Sequence, residues 1–137
     1  MRRQSNLRVL LVDDDPVAVT VVRRWLETAG YEVIARDTPF GTSGLILKHR
    51  PDLLILDVEM PGLDGELLAA AIAKGSHHVE IIFYSGKDAD VLARLVAKHG
   101  ALGAIHKSSE GQAFLNEFNN LVAIWLSRNP RRPGRSS

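Results

Sequence analysis

The sequence predicts an α/β protein: an open parallel sheet with helices packed on both faces. Three observations carry this expectation. Short apolar runs alternate with amphipathic stretches five times within 137 residues, the rhythm of βα units. The first and third runs, Leu7-Arg-Val-Leu-Leu-Val12 and Asp52-Leu-Leu-Ile-Leu56, are almost wholly apolar, as strands covered on both sides must be. Chemically capable side chains (Asp13, Asp14, Asp57, Ser85 and Lys107) fall at or just past the C-terminal ends of four runs, where open parallel sheets hold their ligands.

Each element has a local reason. Asp15 is placed to cap the first helix and Pro16 to occupy its first position, with Gly30 after its end near Ala29. Tyr31–Arg36 reads as the second strand. Residues 39–49 read as the second helix, weakened by Gly41 and Gly44. The third strand delivers Asp57, followed by Val58-Glu-Met-Pro-Gly-Leu-Asp-Gly65, a turn sequence in which Asp64 reads as a turn residue or cap. The third helix covers about 65–74, the fourth strand Val79–Tyr84, and the fourth helix Asp88–His99 with Gly100 behind it. Leu102–His106 is the fifth strand. The fifth helix spans about 109–127 on an apolar stripe of Phe114, Leu115, Phe118, Leu121, Val122, Trp125 and Leu126. Crossovers between parallel strands are expected to be right-handed.

Composition narrows the classes. The chain is 45% hydrophobic and 24% charged, with no cysteine, which excludes disulfides and thiolate zinc sites. The five histidines show no spacing suited to zinc. No apolar run reaches membrane-helix length and no signal peptide is visible behind Met1, so a cytoplasmic location without a membrane partner is expected. The net charge of +1 hides an asymmetry: residues 128–137 carry four arginines and no acid, leaving 13 basic and 16 acidic residues elsewhere. Residues 1–127 therefore read as one domain, and 128–137 as a basic disordered tail or a truncated linker.

Asp13, Asp14 and Asp57 come from two strand ends that the fold brings together. Three carboxylates crowded there repel one another unless a hard cation such as Mg²⁺ sits among them, and Mg²⁺ prefers oxygen ligands. A main-chain carbonyl near Glu59 could add an oxygen. Lys107 supplies a compact cation for a carboxylate or phosphate, and Ser85 a hydroxyl for a phosphate oxygen. Acids with one fixed cation point to metal-assisted phosphoryl chemistry.

These residues resemble the receiver domain of bacterial two-component response regulators, a flavodoxin-like family that includes chemotaxis receivers. The resemblance rests on Val12-Asp-Asp-Asp-Pro16, Leu56-Asp-Val-Glu-Met-Pro-Gly-Leu-Asp-Gly65, Tyr84-Ser-Gly86 and Ile105-His-Lys107, and covers about residues 6–127. It implies a (βα)5 doubly wound sheet in strand order 2-1-3-4-5. It implies that Asp57 is the phosphoacceptor, that Asp13, Asp14, Asp57 and the Glu59 main-chain carbonyl hold Mg²⁺, that Lys107 pairs with the phosphate, and that Ser85 contacts the phosphoryl group and relays the switch. The donor implied is a phosphohistidine of a histidine kinase or phosphotransfer protein. The output implied is repacking of the face formed by helix 4, strand 5 and helix 5, read by a downstream effector or a second copy of the chain. Only self-catalysed phosphorylation and dephosphorylation are expected of such a domain. It would stand alone or form the receiver part of a longer protein, and no direct nucleic-acid partner is expected.

Two positions depart from the family pattern. Ala104 stands where the family usually carries an aromatic switch residue. Ser108 stands where it usually has a proline in a cis peptide, and a non-proline cis bond costs roughly 3 kcal/mol. These departures keep a phosphate-independent interaction module open as an alternative. A Mg²⁺-dependent phosphohydrolase of the haloacid-dehalogenase kind is another, since Val12-Asp-Asp-Asp-Pro-Val17 resembles its opening motif with Asp13 as nucleophile, although Asp57 then goes unexplained. Leu92, Leu95 and Val96 are the residues expected to be exposed on the fourth helix for a partner.

Overall fold

The computed structural model describes residues 7–60, 63–75 and 78–130, with Leu63 as backbone only. In chain order the elements are β1 (Arg8–Val12), α1 (Pro16–Thr28), β2 (Glu32–Arg36), α2 (Thr42–His49), β3 (Leu53–Asp57), β4 (Glu59–Met60), β5 (Leu63–Asp64), α3 (Gly65–Lys74), β6 (Glu80–Ser85), α4 (Ala89–His99), β7 (Gly103–His106) and α5 (Gln112–Arg128). The main sheet has the order β2-β1-β3-β6-β7 with every neighbouring pair parallel. With the small β4–β5 pair set aside, this is the expected 2-1-3-4-5 order. The chain leaves β1 toward β2 on one side and returns to β3 on the other, so the order reverses between β1 and β3.

Successive side chains of a strand face opposite ways, and the two cores follow that alternation. Val9, Leu11, Leu53, Ile55, Ile82, Tyr84 and Ile105 meet Val22 and Leu26 of α1 and Phe114, Phe118, Val122 and Trp125 of α5. Leu10, Val12, Leu54, Leu56, Ile81 and Phe83 meet Ile46 of α2, Ala69 and Ile72 of α3, and Leu92 and Leu95 of α4. Every residue of β3 is buried, including Asp57 at its tip.

Several expectations need correction. Leu92 and Leu95 are buried, and Val96 packs partly against the same core, so they do not present an open apolar surface. Leu126 is exposed; it lies about 100° around the helix from the buried Trp125 and leaves the stripe. The helices α2 and α5 both begin three residues later than predicted. Each start follows a glycine at positive φ, Gly41 at +83° and Gly111 at +56°, a turn that helical backbone cannot continue through. The hairpin of β4 and β5 was not foreseen. It pairs Glu59 with Asp64 and Met60 with Leu63. At the tail, Arg128 is still helical, and residues 131–137 lie outside the described residues. Among the described residues no helix is long and apolar enough to cross a membrane.

The N-terminus of α3 approaches the end of β3 closely. A Cβ on Gly65 would fall 2.6 Å from the Asp57 carbonyl oxygen and 2.9 Å from the Val58 Cα and carbonyl oxygen. These are backbone atoms, so nothing flexible can give way. Asp64 caps the helix by accepting the Glu66 N–H at 2.8 Å, which fixes where α3 begins. Gly65→Ala should therefore destabilise the fold by roughly 1–3 kcal/mol, as overpacking does. Urea unfolding checks this; an unchanged midpoint would mean that the approach is not tight.

Candidate functional site

Asp13 directly follows β1, Asp57 ends β3, Ser85 ends β6 and Lys107 directly follows β7. The four thus stand along one edge of the parallel sheet, with Asp13 and Asp57 flanking the reversal of strand order. Asp13 and Asp57 are each 1% exposed, and Asp14 is half-buried. One carboxylate oxygen from each of Asp13, Asp14 and Asp57 lies within 4.8 Å of the others.

The two buried acids are held alike. Asp13 Oδ1 accepts the Asp15 N–H at 2.9 Å, and Asp57 Oδ1 accepts the Glu59 N–H at 3.0 Å. Each carboxylate is thus oriented by the turn that follows its own strand. The second oxygens face the same ammonium: Lys107 Nζ is 3.2 Å from Asp13 Oδ2 and 3.3 Å from Asp57 Oδ2. The Lys107 ammonium also lies over the Tyr84 ring, 5.3 Å from its centroid. Asp13 Oδ2 is fully buried and has no hydrogen bond of good geometry, only this ion pair.

One cation among three acids leaves excess negative charge. Burial, with the neighbouring charge of Asp13, pushes the Asp57 carboxyl up from 3.8 to about 6, although the Glu59 N–H and Lys107 pull the other way. Burial alone would lower the Lys107 ammonium; the charges of Asp57 and Asp13 outweigh it and hold it above its ordinary range. Burial also raises the Tyr84 hydroxyl. The donor set fits a hard divalent cation: three carboxylates, one with a buried oxygen held only by the Lys107 ion pair, and no nitrogen or sulfur ligand among them.

The remaining predicted residues lie around this centre. Ser85 is fully buried and its Oγ accepts the Lys87 N–H at 3.0 Å. The Glu59 side chain is exposed and pairs with Lys87 at 3.6 Å, joining the β4 hairpin to the loop after β6. Ala104 pairs with Phe83 across β6 and β7 and packs partly against the α2–α3–α4 core, with no ring to reorient. The Lys107–Ser108 peptide is trans, as are all the described peptides. Sequence reasoning missed the packing role of Gly65 and the contacts of His106. The first had a signal in the Asp-Gly step. The second had none, because a lone histidine without partners in sequence carries no pattern.

A doubly wound α/β sheet with a buried acidic cluster and one lysine at its switch point defines the class. The model of the response regulator receiver domain matches residues 9–119, and the chain belongs to that family. BvgA of Bordetella pertussis, named as a transcription regulator of virulence factors, is 30% identical over 118 residues, 85% of this chain and 56% of its own length. The Arabidopsis thaliana two-component response regulator ARR2 is 30% identical over 120 residues, 86% of this chain and 18% of its own. The chain thus spans about half the length of BvgA and far less of ARR2. Among solved structures, the chemotaxis protein CheY4 of Vibrio cholerae superposes with a TM-score of 0.76 at 25% identity, covering 84% of this chain and 98% of that one. The receiver domain of a LuxO repressor protein from Vibrio parahaemolyticus gives 0.80 at 19% identity, covering 93% and 98%, a likeness of fold. Membership of this family sets aside the haloacid-dehalogenase reading.

The raised Asp57 value has a consequence for stability. A group whose folded value lies above its ordinary one contributes stability that is fully present below the ordinary value and is lost as pH rises through the folded value. For Asp57 that loss runs from about pH 4 to about pH 6. The gap of roughly two pH units corresponds to about 3 kcal/mol, an upper figure because Lys107 keeps Asp13 as partner. Without divalent cations, Asp57→Asn should stabilise the protein by about 1–3 kcal/mol at pH 7.5 and by little below pH 4. Denaturant unfolding at the two pH values measures it; equal gains at both would contradict the raised carboxyl.

Proposed function

We propose that this chain is a phosphorylation-dependent signalling switch in the cytoplasm, with Asp57 as its phosphoacceptor. The observation that carries the reading is the meeting of Asp57 Oδ2, Asp13 Oδ2 and the Lys107 ammonium at the sheet's switch point. The donor is a phosphohistidine presented by a histidine kinase or a histidine phosphotransfer protein. Asp57, ionised, attacks phosphorus through an oxygen. As the O–P bond forms, the P–N bond to the imidazole breaks, its electron pair stays on nitrogen, and solvent supplies that nitrogen's proton. Oδ2 is the oxygen suited to attack, since Oδ1 is held by the Glu59 N–H.

Lys107 stands where it can follow the charge from the carboxylate onto the phosphoryl oxygens. Asp13, Asp14, Asp57 and the main-chain carbonyl of Glu59 would hold Mg²⁺. When bound, that ion offsets the repulsion between an anionic phosphoryl group and the acids. Hydrolysis of the aspartyl phosphate by water returns Asp57 to its starting state, so the chain acts on itself alone.

Residues 1–127 form the receiver unit in this reading, and α5 ends at its edge. The Ser85 hydroxyl turns from the Lys87 N–H toward the new dianion. The face of α4, β7 and α5 then repacks, to be read by an effector protein or domain or by a second copy of the chain. With Ala104 in β7, the signal passes through backbone and aliphatic packing rather than through a ring. Direct nucleic-acid binding forms no part of this reading.

Mass spectrometry after incubation with acetyl phosphate and Mg²⁺ tests it. Wild type should gain one phosphoryl mass and Asp57→Asn none. No gain in wild type, or a gain in the variant, contradicts the assignment of Asp57. If the variant also binds and signals to partners unchanged, the phosphate-independent module is the better reading.

A further inference from the structure

We propose that His106 is a positioning residue for the Asp57 chemistry: its ring ties together the two loops that carry Ser85 and Lys107. The proposal rests on the reading of the site given above. His106 is the last residue of β7, and Lys107 follows it. Its Nε2 lies 3.1 Å from the Gly86 carbonyl oxygen, one residue past Ser85. Its Nδ1 accepts the Ser108 N–H at 3.0 Å and lies 2.7 Å from the Ser108 hydroxyl, one residue past Lys107. The ring therefore spans from one loop to the other, immediately outside the two site residues.

The neighbours dictate which nitrogen carries hydrogen. The Ser108 N–H can only donate and the Gly86 carbonyl can only accept. With Nδ1 taken by the Ser108 N–H, Nε2 is the nitrogen that donates to the Gly86 carbonyl. One main-chain bond, from the Lys107 N–H to the Ser85 carbonyl at 2.9 Å, already joins the strand ends. The ring adds a second connection on the outer side of that bond. Ser108 makes half of it possible, because a proline at this position has no N–H to give.

The consequence falls on Lys107. Its flexible side chain has to keep Nζ within 3.2 and 3.3 Å of two carboxylates. A long side chain held this way gives up much of its rotamer freedom, and play in its backbone would add to the misplacement. His106 removes that play at one end and fixes the Ser85 loop at the other. The ring is half-buried and belongs to neither core, so its removal need not cost the fold.

The test compares wild type, His106→Phe, His106→Asn and His106→Gln for phosphorylation rate against acetyl phosphate concentration with Mg²⁺, and for melting temperature. Phe removes both polar contacts. Asn offers its amide oxygen near Nδ1 and keeps the Ser108 contact; Gln offers its amide nitrogen near Nε2 and keeps the Gly86 contact. His106→Phe should lower the maximal rate by roughly 5- to 20-fold, with the half-saturating donor concentration and the melting temperature unchanged. Asn and Gln should each recover part of the rate. A wild-type rate in His106→Phe overturns the proposal, as do Asn and Gln variants as slow as Phe, or a rate loss that follows a loss of melting temperature. Asp57→Asn, run beside them, separates the two failures. Wild type without uptake takes down the site reading and this proposal together, whereas Asp57-dependent uptake that His106→Phe leaves untouched takes down this proposal alone.

Discussion

Lys107 holds two buried carboxylates that would otherwise have no tolerable place in this fold. Taking an ion out of water is expensive, and two like charges side by side compound the cost. The lysine answers only part of it: the Asp57 carboxyl remains pushed up to about 6 with the ammonium 3.3 Å away. The site is thus built short of positive charge. A centre already neutral would have little reason to draw in a divalent cation, and this one is not neutral.

The fold sustains the arrangement through β3. A strand buried along its whole length between two helical layers cannot shift its register without moving apolar side chains out of both cores. Asp57 inherits that rigidity from Leu53 to Leu56 behind it. The turn beyond is fixed as firmly, because Gly65 lets α3 begin almost against the Asp57 carbonyl. Positions on strand ends give such a site its geometry, while the loops after β6 and β7 need ties of their own. The Glu59–Lys87 pair and the His106 bridge are two such ties.

Much of this was legible in the sequence. The five βα units and the placement of Asp13, Asp14, Asp57, Ser85 and Lys107 at strand ends follow from apolar runs that end in polar residues, a pattern local enough to read directly, whereas the strand order came only with the family resemblance. What escaped had other causes. The late starts of α2 and α5 depend on the φ of Gly41 and Gly111, which composition does not fix. The exposure expected for Leu92 and Leu95 failed because an amphipathic period shows that a helix has an apolar face, yet not how deeply the sheet covers it. The contacts of His106 bridge twenty residues of sequence to Gly86, and nothing in the chain announces them.

The charge shortfall can be measured directly. If Asp57 is half-protonated near pH 6, a divalent cation that takes its carboxylate must expel the proton. Calorimetric titration with Mg²⁺ in two buffers of different ionisation enthalpy counts protons released per ion bound. The expected result is about half a proton at pH 6 and close to none at pH 8, with the release abolished in Asp57→Asn. Binding without proton release at pH 6, or no binding at either pH, would contradict the account.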